Sequence, residues 1–159
     1  MNKASPPGVK NWVEYLIVVT LVVAAAAVGS MFTPGEWYQQ LDKPAWTPPN
    51  WVFPVAWTTL YAMIAVAGCL LLRADGWYGP AMRWWLGQLS LNALWSWLFF
   101  GQQQIDWALV DIVLLLASIG ATVVLAWPRQ RAAAWLLLPY LAWVGFATAL
   151  NAAIWQLNR

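Results

Sequence analysis

The chain has 159 residues, of which 62% are apolar, 9% are charged, 15 are tryptophan and none is histidine, with a net charge of +2. So little charge cannot cover a soluble surface, since soluble domains carry about 25% charged residues, and the small positive balance is no nucleic-acid footprint. The missing imidazole excludes histidine-ligated zinc or haem and Ser-His catalysis, and the single cysteine, Cys69, excludes an intrachain disulfide framework.

A bilayer-spanning helix needs about 20 mostly apolar residues. Five stretches meet this: 12–32, 52–72, 82–100, 107–127 and 132–157. They predict an all-α membrane protein, a single five-transmembrane-helix bundle over residues 1–159. The first stretch follows Lys3 and Lys10 and ends in "AAAAVGS", which also fits a cleaved secretory signal. Its length, and Glu14 and Tyr15 near its start, favour a retained helix whose small residues, Ala24 to Ala27 and Gly29, permit close packing.

Residues 33–51 form the one long connection, rich in proline and tryptophan: "KPAWTPPNW". Proline fixes φ and limits the entropy lost on closure, so this segment reads as a stiff lid carrying Trp46 and Trp51, or as a rigid connector. The remaining connections are short and make sequential helices antiparallel neighbours. Pro80 precedes the third stretch and Asp106 is placed to cap the fourth. Five spans would put Lys3, Lys10, Arg73, Arg83, Arg129 and Arg131 on one side, with only Lys43 and Arg159 opposite. The excess of basic residues predicts a cytoplasmic N-terminus in a bacterial inner membrane, an outer membrane being the alternative.

Polar and aromatic residues recur at helical spacing: Phe53, Trp57, Tyr61, Ile64 and Gly68; Gln88, Asn92, Trp95 and Phe99; Tyr140, Trp143, Ala147 and Asn151. Each stripe places an aromatic ring near a small or amide residue, as a cavity for a large planar apolar ligand would require. The same amides also serve as interhelical glue. Trp12, Trp37, Trp77, Trp84, Trp85, Trp107, Trp127, Trp135 and Trp155 lie near stretch ends and are expected as interfacial belt residues. Asp111 is the lone acid well inside a stretch, open to a packing or a proton-relay role. Cys69 has no activating neighbour in sequence and is expected to be inert. Pro139 frees a backbone carbonyl in the turn before Tyr140.

Four ordered segments carry a family resemblance: "WYQQLDKPAWTPPNWVFPVAWTTLY" (37–61), "GQLSLNALWSWLFFG" (87–101), "WALVDIVLL" (107–115) and "PYLAWVGFATALN" (139–151). The chain resembles the translocator protein / tryptophan-rich sensory protein family, also called peripheral benzodiazepine receptors. The resemblance implies a membrane receptor or carrier, usually homodimeric, for porphyrins, haem-related tetrapyrroles or other hydrophobic ligands, linked to tetrapyrrole homeostasis and stress sensing. It implies no required cofactor, metal, nucleic-acid partner or catalytic residue. By motif it places ligand contacts at Trp46, Trp51, Trp57, Tyr61, Asn92, Trp95, Trp143 and Ala147, with Ala24 and Ala27 from the first helix. A second activity proposed for such proteins is light- and oxygen-dependent porphyrin breakdown, and a third is lipid, sterol or small-molecule transport. The fifth stretch ends "ALNAAIWQLNR" and lacks the tyrosine-centred cholesterol pattern of animal members, which favours a bacterial type of function. Gly87, Ser90 and Ala93 offer a small-residue face for a homodimer.

Overall fold

The computed structural model describes residues 9–159, with side chains from residue 12 onward, so Lys3 and the side chain of Lys10 lie outside the described residues. Six α-helices follow in order: α1 (Val9–Met31), α2 (Glu36–Gln40), α3 (Val52–Asp75), α4 (Pro80–Ser96), α5 (Ile105–Ala126) and α6 (Arg131–Leu157). A π-helical turn over Trp97–Gly101 continues α4, and no strand occurs among the described residues. Helices α1, α3, α5 and α6 are each long and apolar enough to cross a membrane. Helix α4 has 17 residues and is interrupted by Gln88, Ser90 and Asn92, so by that measure four helices among the described residues, not five, qualify.

The helices pack in an order that leaves α1 at the margin. Helix α5 lies between α4 and α6, α3 rests on α6 and α4, and α1 rests on α3 and α4. One core is built around Ile64, Leu71, Trp85, Leu115, Leu137 and Tyr140. A second gathers Tyr38, Phe99, Ala108, Leu150 and Ile154 at the end of the bundle that carries the lid.

Two close approaches set this packing. A Cβ on Gly68 would lie 2.3 Å from Trp85 Cζ2, so only glycine leaves the notch that receives the indole. Trp85 Nε1 then donates to the Ile64 carbonyl at 3.1 Å, and the side chain is fully buried. Trp85 is therefore a core residue and not the belt residue its position near a helix end predicts. The physical reason is the combination of a missing side chain at Gly68 and the second lone pair of a helical carbonyl on α3, which the indole N–H reaches. At the other approach, a Cβ on Gly101 would meet Phe32 Cδ1 at 2.9 Å, so the end of the π turn seats the residue that follows α1.

The helix starts differ in one detail from the sequence expectation. Asp106 stands in the first turn of α5, while Gln104 holds the cap position without a side-chain cap bond. Asp106 still complements the positive end of the helix dipole. Pro80, expected just before the helix, is itself the first residue of α4, where proline needs no hydrogen-bond partner.

Candidate functional site

A cavity of about 830 Å³ lies under the lid, between α1, α3, the end of α4, the π turn and α6. The stripe spacing explains its walls. Helix α3 contributes Phe53, Trp57, Thr58 and Tyr61, and α6 contributes Trp143, Ala147, Leu150, Asn151 and Ile154. Trp95 and Ser96 come from α4, Phe99 and Phe100 from the π turn, and Val23, Ala26, Ala27, Gly29 and Ser30 from α1. Thr33, Pro34, Tyr38 and Asn50 close the lid side. No aspartate, glutamate, lysine or arginine is among the lining residues.

The aromatic rings form two connected groups. Trp95 stacks on Phe99 at 5.2 Å between centroids, and Phe100 meets both edge-on. Opposite, Trp57 lies 5.4 Å from Tyr61 and 6.2 Å from Tyr140, while Phe53 meets Trp143 edge-on at 5.9 Å. Offset and edge contacts of this kind hold rings rigidly and leave flat faces available. The π turn matters here, because its wider winding lets the consecutive residues Phe99 and Phe100 both face the cavity.

Polar groups on and behind the walls are fixed by one another. Tyr61 Oη donates to Asn92 Oδ1 at 2.7 Å, and Asn92 Nδ2 donates to Tyr140 Oη at 2.9 Å, which links α3, α4 and α6. Trp95 Nε1 donates to Asn151 Oδ1 at 3.0 Å, and Asn151 Nδ2 donates to the Ile105 carbonyl. By contrast, the Trp143 indole N–H is buried without a partner.

The lid is anchored at its base. The Lys43 ammonium donates to the carbonyls of Tyr38 and Leu41 at 2.6 and 2.8 Å and lies 4.8 Å from the Tyr38 ring. Tyr38 packs edge-on against Phe99 and Phe100, and burial pushes its phenol pKa above the ordinary tyrosine value. Asp42 is held to α6 through Asn158: the Asp42 N–H donates to Asn158 Oδ1 at 3.0 Å, and Asn158 Nδ2 donates back to the Asp42 carbonyl at 2.9 Å.

Six of the ten residues singled out by sequence meet at the cavity: Ala27, Trp57, Tyr61, Trp95, Trp143 and Ala147. The other four lie elsewhere. Asn92 is buried behind Tyr61 and orients it rather than lining the wall. Ala24 is exposed, because one helical position turns it away from the face shared by Val23 and Ala27. Trp46 is half exposed and packs edge-on against Phe146 at 5.7 Å, outside the cavity wall. Trp51 is 68% exposed and lines a separate shallow groove with Val55, Pro139 and Trp143. The two lid tryptophans thus do not roof the cavity; Thr33, Pro34, Tyr38 and Asn50 do. Phe53 and Asn151 are visible in the stripes, whereas Tyr38 and Phe100 depend on α2 and on the π turn, which periodicity does not reveal.

Comparison with known proteins finds relatives over most of the chain. The family model described as TspO/MBR family matches residues 17–156. The chain is 36% identical over 147 residues to Protein CrtK of Rhodobacter capsulatus, covering 91% of this chain and 92% of that protein. It is 35% identical over 148 residues to the tryptophan-rich sensory protein of Cereibacter sphaeroides, covering 93% of each. It is 41% identical over 139 residues to the translocator protein of Homo sapiens, covering 83% of this chain and 82% of that one. With several long apolar helices and matches over most of its length, the chain is an integral multi-pass membrane protein belonging to the TspO/MBR family.

Proposed function

We propose that this protein is a membrane receptor or carrier that holds a porphyrin or related tetrapyrrole in the cavity beneath the lid. The observation that carries this reading is the cavity wall itself: about 830 Å³, flat aromatic faces from α3, α4, the π turn and α6, and no charged side chain. A pocket of this size accommodates a large ligand, and its chemistry favours a planar apolar one. Trp57, Trp95 and Trp143, all on the cavity wall, stack on the ligand. The reaction chemistry of an enzyme is not required for this role.

The membrane arrangement that supports it has five spans. Helix α4 and the π turn together run 22 residues, from Pro80 to Gly101. At about 1.5 Å per residue that length matches the roughly 30 Å hydrocarbon layer. Five spans place six of the eight basic residues on the N-terminal side, which makes that side cytoplasmic in a bacterial inner membrane and turns the lid outward. A homodimer would use α4, where Gly87 and Ser90 are exposed and Ala93 is half-buried.

Titration with protoporphyrin tests the reading. Intrinsic tryptophan fluorescence should quench saturably, and Trp57→Ala/Trp143→Ala should weaken binding about five- to 150-fold, given about 0.5–1.5 kcal/mol per aromatic contact. Unchanged affinity in the double variant would remove the cavity as the binding site.

A further inference from the structure

Two polar side chains deep in the bundle have unmet hydrogen-bonding groups and take no part in the cavity. Gln88 of α4 is 1% exposed, and both its amide nitrogen and its amide oxygen are unpaired. Asp111 of α5 is 4% exposed, and its Oδ2 is unpaired. Buried polar groups are normally satisfied, so three unmet atoms in one region call for an occupant.

The helix register brings the two residues to one interface. Ser118 Oγ donates to the Trp84 carbonyl at 3.3 Å, and a Cβ on Gly87 would lie 3.9 Å from the same oxygen. These contacts fix the alignment of antiparallel α4 and α5. Gln88 follows Trp84 by one turn, and Asp111 precedes Ser118 by two turns on the same face. At 1.5 Å per residue the two contacts place them roughly 5 to 9 Å apart along the bundle axis. Packed helices lie about 8–10 Å apart, a gap that a glutamine and an aspartate span directly or through one water.

The surroundings offer no cation. Tyr140 of α6, fully buried, lies within electrostatic reach of Asp111, and Tyr61 of α3 is linked to it through Asn92. Helix α4 and the π turn present no ionisable side chain to this interface, and Asp106, on the helix of Asp111, is exposed. No lysine or arginine with a described side chain is buried. A bare carboxylate in such a place is severely destabilising, and a proton is the smallest remedy.

We propose that Asp111 and Gln88 form a proton-binding site in the membrane interior. A proton from the aqueous phase forms an O–H bond with the Asp111 carboxyl, which becomes neutral. That O–H donates to Gln88 Oε1, while Gln88 Nε2 donates to the other carboxyl oxygen, directly or through a bridging water. This pairing satisfies all three unmet atoms at once. It stands apart from the proposed ligand site, since neither residue lines the cavity.

Infrared difference spectroscopy of the full chain in lipid bilayers near neutral pH tests the site without any added ligand. A carboxylic-acid carbonyl band should appear in the wild type and be lost in Asp111→Asn. The band should move to higher frequency in Gln88→Leu, which removes its hydrogen-bond partner. Asp111→Asn, which mimics the neutral acid in shape, should keep the wild-type melting temperature, and replacing sodium with choline should change nothing. A wild-type spectrum with no protonated carboxyl overturns the proposal, and so does a sodium-dependent melting temperature that Asp111→Asn abolishes. An unmoved band in Gln88→Leu overturns the pairing. Should Asp111→Asn fail to fold, isotope-labelled aspartate in the wild type replaces it: the carbonyl band should shift with the label, and a band that stays in place overturns the assignment to Asp111.

Discussion

Asn158 and Asp42, 116 residues apart, exchange two hydrogen bonds through one side-chain amide, at 3.0 and 2.9 Å. The amide imitates a strand partner: it accepts from the Asp42 N–H and donates to the Asp42 carbonyl. Asn158 Nδ2 also donates to the Ile154 carbonyl at 2.8 Å, which fixes the clamp to the last turn of α6. The base of the lid is therefore tied to the C-terminal end of the bundle.

Removing that clamp should loosen the lid without unfolding the helices. Two hydrogen bonds at about 0.5–1.5 kcal/mol each correspond to roughly a tenfold change or more in lid opening. In Asn158→Ala, hydrogen exchange at the Asp42 amide should accelerate by that factor, and bound protoporphyrin should dissociate faster. Exchange at the wild-type rate would show that the clamp does not hold the lid.

Gly68→Ala should destabilise the whole bundle. The added methyl meets Trp85 Cζ2 at 2.3 Å, and the indole is fully buried and tied to the Ile64 carbonyl, so neither partner yields easily. Overpacking of this kind costs about 1–3 kcal/mol. Thermal unfolding in detergent or lipid should show a clear drop in midpoint, and Trp85→Phe in the same background should recover part of it.

Ala147→Trp should separate ligand binding from stability. Ala147 lies on the cavity wall, where a larger side chain enters empty space instead of a packed core. Protoporphyrin affinity should fall at least tenfold while the unfolding midpoint stays near the wild-type value. Full affinity in this variant would place the ligand elsewhere.

Tyr61→Phe should weaken the bundle by about 1–3 kcal/mol, because Asn92 Oδ1 then loses its donor in a buried setting. Chemical or thermal denaturation measures this directly. Adding Asn92→Leu should cost less than the sum of the two single changes, since the orphaned amide disappears with it.

Tyr38 gives the lid a dependence on alkaline pH. Burial raises its phenol pKa, so the folded state favours the protonated ring. The resulting stabilisation is complete below the ordinary tyrosine range and is lost as pH rises from there through the raised value. Tyrosinate absorbance should develop later than in a free tyrosine, and Tyr38→Phe should remove that late component.

Hydropathy locates the helical stretches well, because apolar runs of spanning length leave few alternatives. It does not reveal how α4 ends. The stretch "WSWLFFG" looks like ordinary helix, yet the chain winds wider there, as the 2.8 Å bond from Gln102 N–H to the Trp97 carbonyl shows. Helix α2 is hidden inside a proline-rich connection, since five residues are too few for a periodic signal. Residues at the cavity are legible where a single helix face carries them, as with Trp57 and Tyr61 or Trp143 and Ala147. They are illegible where tertiary contacts decide: Trp85 and Trp84 are adjacent, but Gly68 admits only the first to the core, and Trp84 stays 48% exposed. The direction of Trp46 and Trp51 likewise follows from where the lid crosses α6, which no local pattern encodes.

The marginal position of α1 has a consequence for traffic. This helix forms one side of the cavity through Val23, Ala27 and Ser30, yet it leans chiefly on α3 and α4 and turns most of its surface outward. Of the long helices that wall the cavity it can be displaced with the fewest broken contacts. A small outward swing would create a sideways doorway at acyl-chain depth, so that an oily guest could pass between bilayer and protein without ever being wetted.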